Sequence, residues 1–408
     1  MKRILRKIII AIFLTNYTSV FSQDASFSQS DLGSLYMNPA YTGASGDPTF
    51  LSIRKMQWTN YDTRGIRPFT TSLAEISFAI DAGNRGAVGL RTIGLGLSFM
   101  AEDHSIIPDI LSNTIFLRRK DYQFYLSGLY KIGRTRSFFK NGGTIVHYFQ
   151  PAISYGQSIY GLQTDGIVTS GMITPYTLSY SDLPDPSISI QDLVINRKPF
   201  NKLVIGFLHS IQGNTSSSQS KRTETGFSFQ RMTEGFNNSL LTSKIIFHIK
   251  HQGSISPWRS KIINYWNSFA KRELYYTGSS FSNKIMAKTE YGGSLELGMI
   301  EIGSLFRFNS NYIDYKSDIN WQTYAPFIRF NLPYKKNMFQ FSYCTDLEST
   351  FLTNIEDNLY IKNTGVTHEI SFSITFWTYR STPTKECIKY GVMKDSKILN
   401  DMKNNKIF

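Results

Sequence analysis

The chain has 408 residues, of which 41% are hydrophobic, 14% aromatic and 18% charged, with a formal net charge of +14. Two cysteines, Cys344 and Cys387, exclude a disulfide-built scaffold, and no Cys/His spacing of the metal-binding kind occurs. After the first 22 residues no stretch approaches the roughly 20 apolar residues of a membrane helix, so a membrane location would require a closed barrel.

Residues 1–22 have the pattern of a secretory signal. Lys2, Arg3, Arg6 and Lys7 form a positive start, Ile8 to Leu14 a short apolar run, and Val20 and Ser22 the small positions before a cut ahead of Gln23. Without those four basic residues the net charge is +10. A basic balance ordinarily suggests nucleic acid, but export argues against it. The charge then faces lipid headgroups, lipopolysaccharide phosphates or an acidic partner, or simply solvates lumen and loops. Residues 23–48 are polar and turn-rich, a segment for the periplasm or for a lumen.

Strand signals follow from residue 49 to 378. Thr49 to Trp58 and Thr70 to Ile80 predict a first hairpin, with a turn at Asp81 to Gly86. In Thr92 to Met100, Ile93, Leu95, Leu97 and Phe99 alternate with Thr92, Gly94, Gly96 and Ser98, and the small set suits a crowded inner face. Tyr122, Phe124, Leu126, Tyr130 and Ile132 share one face, and Tyr148 to Ile159 predicts a pair of strands. Leu203 to Ile211, Ser243 to Lys250, Leu295 to Asn309, Tyr324 to Leu332 and Met338 to Cys344 follow. The last run sets Ile370, Phe372, Ile374 and Phe376 against Ser371, Ser373 and Thr375. Such alternation belongs to strands wet on one face only. It fits an outer-membrane barrel with lipid outside and water inside, and equally a strand of a secreted sandwich.

Two stretches break the pattern. Residues 181–199, with Pro184, Pro186 and Pro199, predict a loop. From Ser256 to Arg272, a Ser-Pro start and the spacing of Trp258, Ile262, Tyr265, Trp266 and Phe269 predict a short amphipathic helix, packed on the protein or lying at a membrane surface. Residues 379–408 form an aperiodic basic tail in the periplasm.

Catalytic patterns are absent. There is no G-x-S-x-G elbow and no phosphate-binding glycine loop. Glu296 with Glu301, and His368 with Glu369, are the nearest approaches to acid–base pairs, and ladder positions account for them more simply. The expectation is a protein without enzymatic activity, metal or cofactor.

The run Gln23 to Gln29, followed by Tyr36-Met37-Asn38-Pro39-Ala40-Tyr41-Thr42-Gly43, resembles the opening of the PorP/SprF family, outer-membrane proteins of the Bacteroidota type IX secretion and gliding systems. Arg54 and Trp58 follow at the family spacing. Pro68, Thr70 and Ser72 resemble its first hairpin return, Gly94 to Ser98 its next strand, and Phe341 to Ser349 with Gly365 to Ile370 its closing hairpin. The middle, from about Gly156 to Ser282, matches poorly, and Cys344 stands where the family commonly has a polar residue such as Asp. The resemblance implies a single all-β transmembrane antiparallel barrel of 14 strands in the outer membrane. It also implies partners: a secreted protein with a C-terminal sorting domain, and periplasmic ring components of the secretion machine. The motif residues Asn38, Pro39, Tyr41, Gly43, Arg54 and Trp58 then form either a structural clasp or a partner contact. Phe236, Trp258 and Trp266 are candidate exposed loop contacts.

Three functions follow as expectations: a barrel that binds an exported partner, a pore or transporter for a small solute or lipid, and a barrel enzyme. A pore needs a lumen that the N-terminal segment leaves open; an enzyme needs a base and a nucleophile within hydrogen-bond reach.

Overall fold

The computed structural model describes residues 27–29, 35–57, 69–83, 88–106, 115–136, 144–163, 200–214, 220–233, 242–254, 265–277, 284–313, 316–334, 337–349 and 367–376. They form β1 (Thr49–Gln57), β2 (Phe69–Asp81), β3 (Gly89–Ile106), β4 (Ile115–Arg136), β5 (Thr144–Gln163), β6 (Phe200–Asn214) and β7 (Ser220–Thr233). The second half comprises β8 (Thr242–Ser254), β9 (Tyr265–Thr277), β10 (Lys284–Leu297), β11 (Ile300–Ile313), β12 (Lys316–Tyr334), β13 (Asn337–Ser349) and β14 (Thr367–Phe376). Each strand pairs antiparallel with its sequence neighbours, and β1 closes on β14 from Thr49↔Thr375 to Met56↔His368. The result is a closed 14-stranded barrel with no free edge.

Period-two alternation decides which side chains face where. On β3, Ile93, Leu97 and Phe99 point outward and are exposed, while Thr92, Ser98 and Met100 are buried inside. On β4, Tyr122, Phe124, Leu126, Tyr130 and Ile132 share the outer face. The same rule on β14 sends Ile370 outward and buries Glu369 and Ser371. The interior holds Lys55, Glu102, Arg119, Asp121, Lys202, Lys271, Glu290, Arg307, Asp346 and Glu369, all nearly inaccessible. A largely apolar outer wall around a charged interior inverts a water-soluble protein. It matches the lipid-facing band of a transmembrane barrel, and the protein resides in the bacterial outer membrane.

The two ends differ. Connections at residues 298–299 and 335–336 are short; those at 164–199 and 350–366, at the opposite end, are long. Barrels of this kind place short turns in the periplasm and long loops outside the cell.

Several sequence expectations are corrected. Tyr265 to Arg272 lies in β9, not in a helix. A spacing of four residues, as between Tyr265 and Phe269, shares a face in a helix and in a strand alike, and inside the barrel both rings are buried. Trp266 therefore stands on a strand rather than a loop, half-exposed on the outer wall with its ring centroid 4.9 Å from that of His251. Leu295 to Asn309 is not one strand. Gly298, at φ 66°, turns the chain so that Leu297 pairs with Ile300. The outward set changes from odd to even positions here, and the adjacent Met299 and Ile300 mark that slip of phase. Tyr148 to Ile159 belongs to one strand, β5, rather than two. Trp58, Phe236, Trp258, Cys387, the signal, the residues 181–199 and the tail all lie outside the described residues.

Candidate functional site

The N-terminal segment, as far as it is described, lies inside the barrel. Leu35 to Ala44 are buried, and Ala40, Tyr41 and Met37 pack with wall residues Tyr125, Leu208, Ile246, Phe269, Leu305 and Phe327 in one apolar cluster. At its centre Pro39–Tyr41 makes a single 3-10 turn. Asn38 caps it, with its Oδ1 accepting from the Ala40 N–H at 2.9 Å. Proline at the first position of such a turn sacrifices no hydrogen bond. The Asn38 side-chain amide donates outward to the carbonyls of Phe207 (3.2 Å) and Phe227 (3.3 Å), on β6 and β7. One residue therefore both shapes the turn and docks it.

Further bonds hold the segment around the circumference. The Tyr41 hydroxyl is 2.7 Å from His248 Nε2 on β8. The Thr42 carbonyl accepts from Ser127 Oγ (2.6 Å) and Gln150 Nε2 (2.7 Å), on β4 and β5. Ser228 Oγ on β7 donates to the Met37 carbonyl at 2.9 Å.

The fit depends on missing side chains. Gly43 adopts φ +64°, and a Cβ there would lie 2.7 Å from the Gly94 Cα. A Cβ on Gly94 would in turn strike the Thr42 carbonyl, and one on Gly206 would strike the Asn38 side chain. The small inner face expected from Thr92 to Ser98 thus has a definite occupant.

Carboxylates grip the backbone of the segment. Glu75 on β2 accepts from the N–H groups of Leu35 (3.0 Å) and Tyr36 (2.8 Å). Glu369 on β14 accepts from those of Ser28 (2.7 Å) and Gln29 (2.8 Å). Ser28 Oγ donates to Asp346 at 2.5 Å. Buried N–H groups require partners, and bonds to a charged acceptor are the stronger kind.

Asp346 also begins a chain of buried charge. Lys55 lies 3.2 Å from it and Arg307 3.3 Å; Arg307 reaches Glu290 at 2.7 Å, and Glu290 reaches Lys271 at 2.8 Å. A second cluster joins Arg119 to Asp121 (2.6 Å) and Glu102 (3.4 Å), with Lys202 3.5 Å from Asp121. Lys202 also lies over the Tyr36 ring, 4.2 Å from its centroid. Alternating signs neutralise one another here, as buried charges must. On the periplasmic side of the segment a pocket of about 100 Å³ is lined by residues including Tyr41, Glu75, Lys250, Gln252, Glu301 and Arg329. It has room for a few water molecules.

The motif is divided by this architecture. Asn38, Pro39, Tyr41 and Gly43 meet in the lumen, while Arg54 is exposed on the opposite face of β1. Glu296 and Glu301 pair across β10 and β11, and Glu301 is engaged by Arg329 at 3.2 Å. His368 and Glu369 point to opposite faces: His368 Nδ1 is 2.7 Å from the Tyr343 hydroxyl outside, and Glu369 holds the N-terminal segment inside. Cys344 is a buried free thiol. No group of three potential metal ligands occurs among the described residues. The clasp role of Glu75, Asp346 and Glu369 was not legible in the sequence, because their partners in the segment lie between 39 and 341 residues away.

The fold and lumen define a transmembrane outer-membrane β-barrel whose interior is occupied by its own N-terminal segment. No family model matches the chain, and no curated protein matches it. Solved barrels resemble it distantly. The CymD monoaromatic hydrocarbon channel is 11% identical over 88% of this chain and 96% of its own, with a TM-score of 0.41. The Ralstonia pickettii toluene transporter TbuX is 9% identical over 84% and 92%, at 0.33. CdiB from Acinetobacter baumannii is 6% identical over 81% and 60%, at 0.38. Likeness at this level carries no argument about function.

Proposed function

We propose that this barrel is an outer-membrane anchor that binds type IX secretion substrates or machinery, supporting export or surface attachment of a partner with a C-terminal sorting domain. The resemblance to the PorP/SprF family supplies the class of partner. The observation that favours an anchor over a pore is the N-terminal segment wedged across the lumen and bonded to β2, β4, β5, β6, β7, β8 and β14. A conduit needs a continuous aqueous path, and this segment together with the buried charge clusters obstructs one. The motif residues Asn38 and Tyr41 act as the clasp, since they are 0% and 4% exposed, and the partner docks on surfaces outside the lumen.

The test is to purify the full-length protein from outer membranes, identify what accompanies it, and record its conductance in planar bilayers. Recovery of a sorting-domain protein with a silent barrel is the expected result. A steady open conductance with no such partner would overturn the proposal in favour of a pore.

A further inference from the structure

Arg54 is the motif residue that the lumen does not explain. It stands exposed on the outer wall, and the register carries its row across three strands: Arg54 pairs with Ser72, Ser72 with Ala101, and Ala101 with Lys120. Lys120 is exposed on the same face. With strands about 4.8 Å apart, the two cations are separated by about 14 Å at the backbone, over a floor of nothing larger than Ser and Ala.

The next outward row toward the membrane centre is Ser52, Ala74, Phe99 and Tyr122, and the one after is Phe50, Ile76, Leu97 and Phe124. The rings of Phe99 and Tyr122 are 5.2 Å apart, and Ile76, Leu97 and Phe124 are among the most exposed apolar residues of the wall. The cations therefore sit at the edge of the apolar band, above a shallow furrow. Asp103, the acid on this face, lies one row further out, opposite Arg118 in the register.

The edge in question is the extracellular one, because the long connections leave from it. Arg54, Lys120 and Arg272 are the exposed cations among the residues whose exposure is described, and all three lie in the outer halves of their strands. A charge on a lipid-facing wall is costly away from the boundary. Among the residues whose exposure is described, its presence on one side only marks a difference between the two leaflets.

We propose that Arg54 and Lys120 form a binding site for the phosphate groups of an outer-leaflet glycolipid, with its acyl chains lying over Ser52 and Ala74 and the apolar row beneath. Paired cations match a di-anionic or doubly phosphorylated headgroup. The apolar wall directly below selects a lipid over an acidic protein segment, whose contacts would end at the water boundary.

The test uses the full-length protein in detergent, with purified lipopolysaccharide, the same lipid stripped of phosphate, and a zwitterionic phospholipid as probes. Wild type is expected to bind the phosphorylated lipid selectively. Arg54→Gln with Lys120→Gln is expected to bind it roughly 30-fold more weakly, about fivefold for each cation, and Arg54→Lys to retain most of the affinity. Heat-modified migration on gels verifies that each variant is folded, and Lys120→Gln alone gives a second reading should the double variant fail to assemble. Unchanged affinity in a folded double or single variant, or equal binding of the phosphate-stripped lipid by wild type, would overturn the proposal. So would loss of a co-purifying acidic protein with lipid affinity intact, which would assign the patch to that protein.

Discussion

At the scale of single residues, the lumen rests on a few side chains that each serve two structures at once. Glu369 belongs to β14 yet terminates the backbone bonds of Ser28 and Gln29. Glu369→Ala removes a charged acceptor from two buried N–H groups, at about 2–3 kcal/mol for each unsatisfied donor. Added protease should then cleave the N-terminal segment faster in the folded variant than in wild type; equal cleavage would show that the bonds do not hold it. Gly94→Val drives side-chain atoms into the Thr42 carbonyl and should cost about 1–3 kcal/mol, read as a lower denaturant midpoint. Legibility at this scale was uneven. The alternation of Ile93, Leu95, Leu97 and Phe99 announced that Gly94 and Gly96 face inward, but what they face came only with the fold. His368 and Glu369 look like a pair in a linear text, and the strand separates them onto opposite faces.

At the scale of elements, strands were readable where the outward face was bulky and the inward face small or polar, as in β3, β4 and β14. They were obscured where polarity crossed both faces. In β7, Thr223 and Thr225 point outward beside inward Arg222 and Glu224, so the hydrophobic period vanishes although the ladder to β6 is complete. The misassigned helix at Tyr265 to Arg272 has the converse cause, since its rings recur at a spacing both structures accept. The element-scale prediction concerns the charges that tie β9, β10, β11 and β13 together. Glu290 lies between Lys271 and Arg307; Glu290→Gln leaves two buried cations short of an anion and should destabilise the barrel by about 3–5 kcal/mol. Urea unfolding in detergent or lipid would register this, and an unchanged midpoint would mean that water or neighbouring acids compensate.

At the scale of the whole molecule, the barrel obeys one rule: lipid outside, a neutralised charge lattice inside. Leu97→Arg places a cation within the apolar band, 56% exposed at present, and should cost about 2–4 kcal/mol if the position is near the membrane centre. Folding into vesicles in place of detergent would report it. Deletion of residues 27–48 should leave strand content unchanged by circular dichroism while opening a measurable conductance; a deleted form that stays silent would locate the obstruction in the wall charges instead. The strands were legible because their period is local, but that period fitted a secreted sandwich equally well, and the 14-stranded barrel was expected from the family resemblance. The occupancy of the lumen was legible only as one of two alternatives for residues 23–48, because it is decided by long-range bonds such as those of Ser28 and Gln29 to the last strand.

The grip of Glu369 and Asp346 on Ser28 has a consequence for assembly order. Translation delivers Ser28 early and those two acids near the end, so the grip on Ser28 can close only after the last ribbon is in place. A chain cut short before residue 367 would lack β14, and with it both the closure of the ring on β1 and the Glu369 latch.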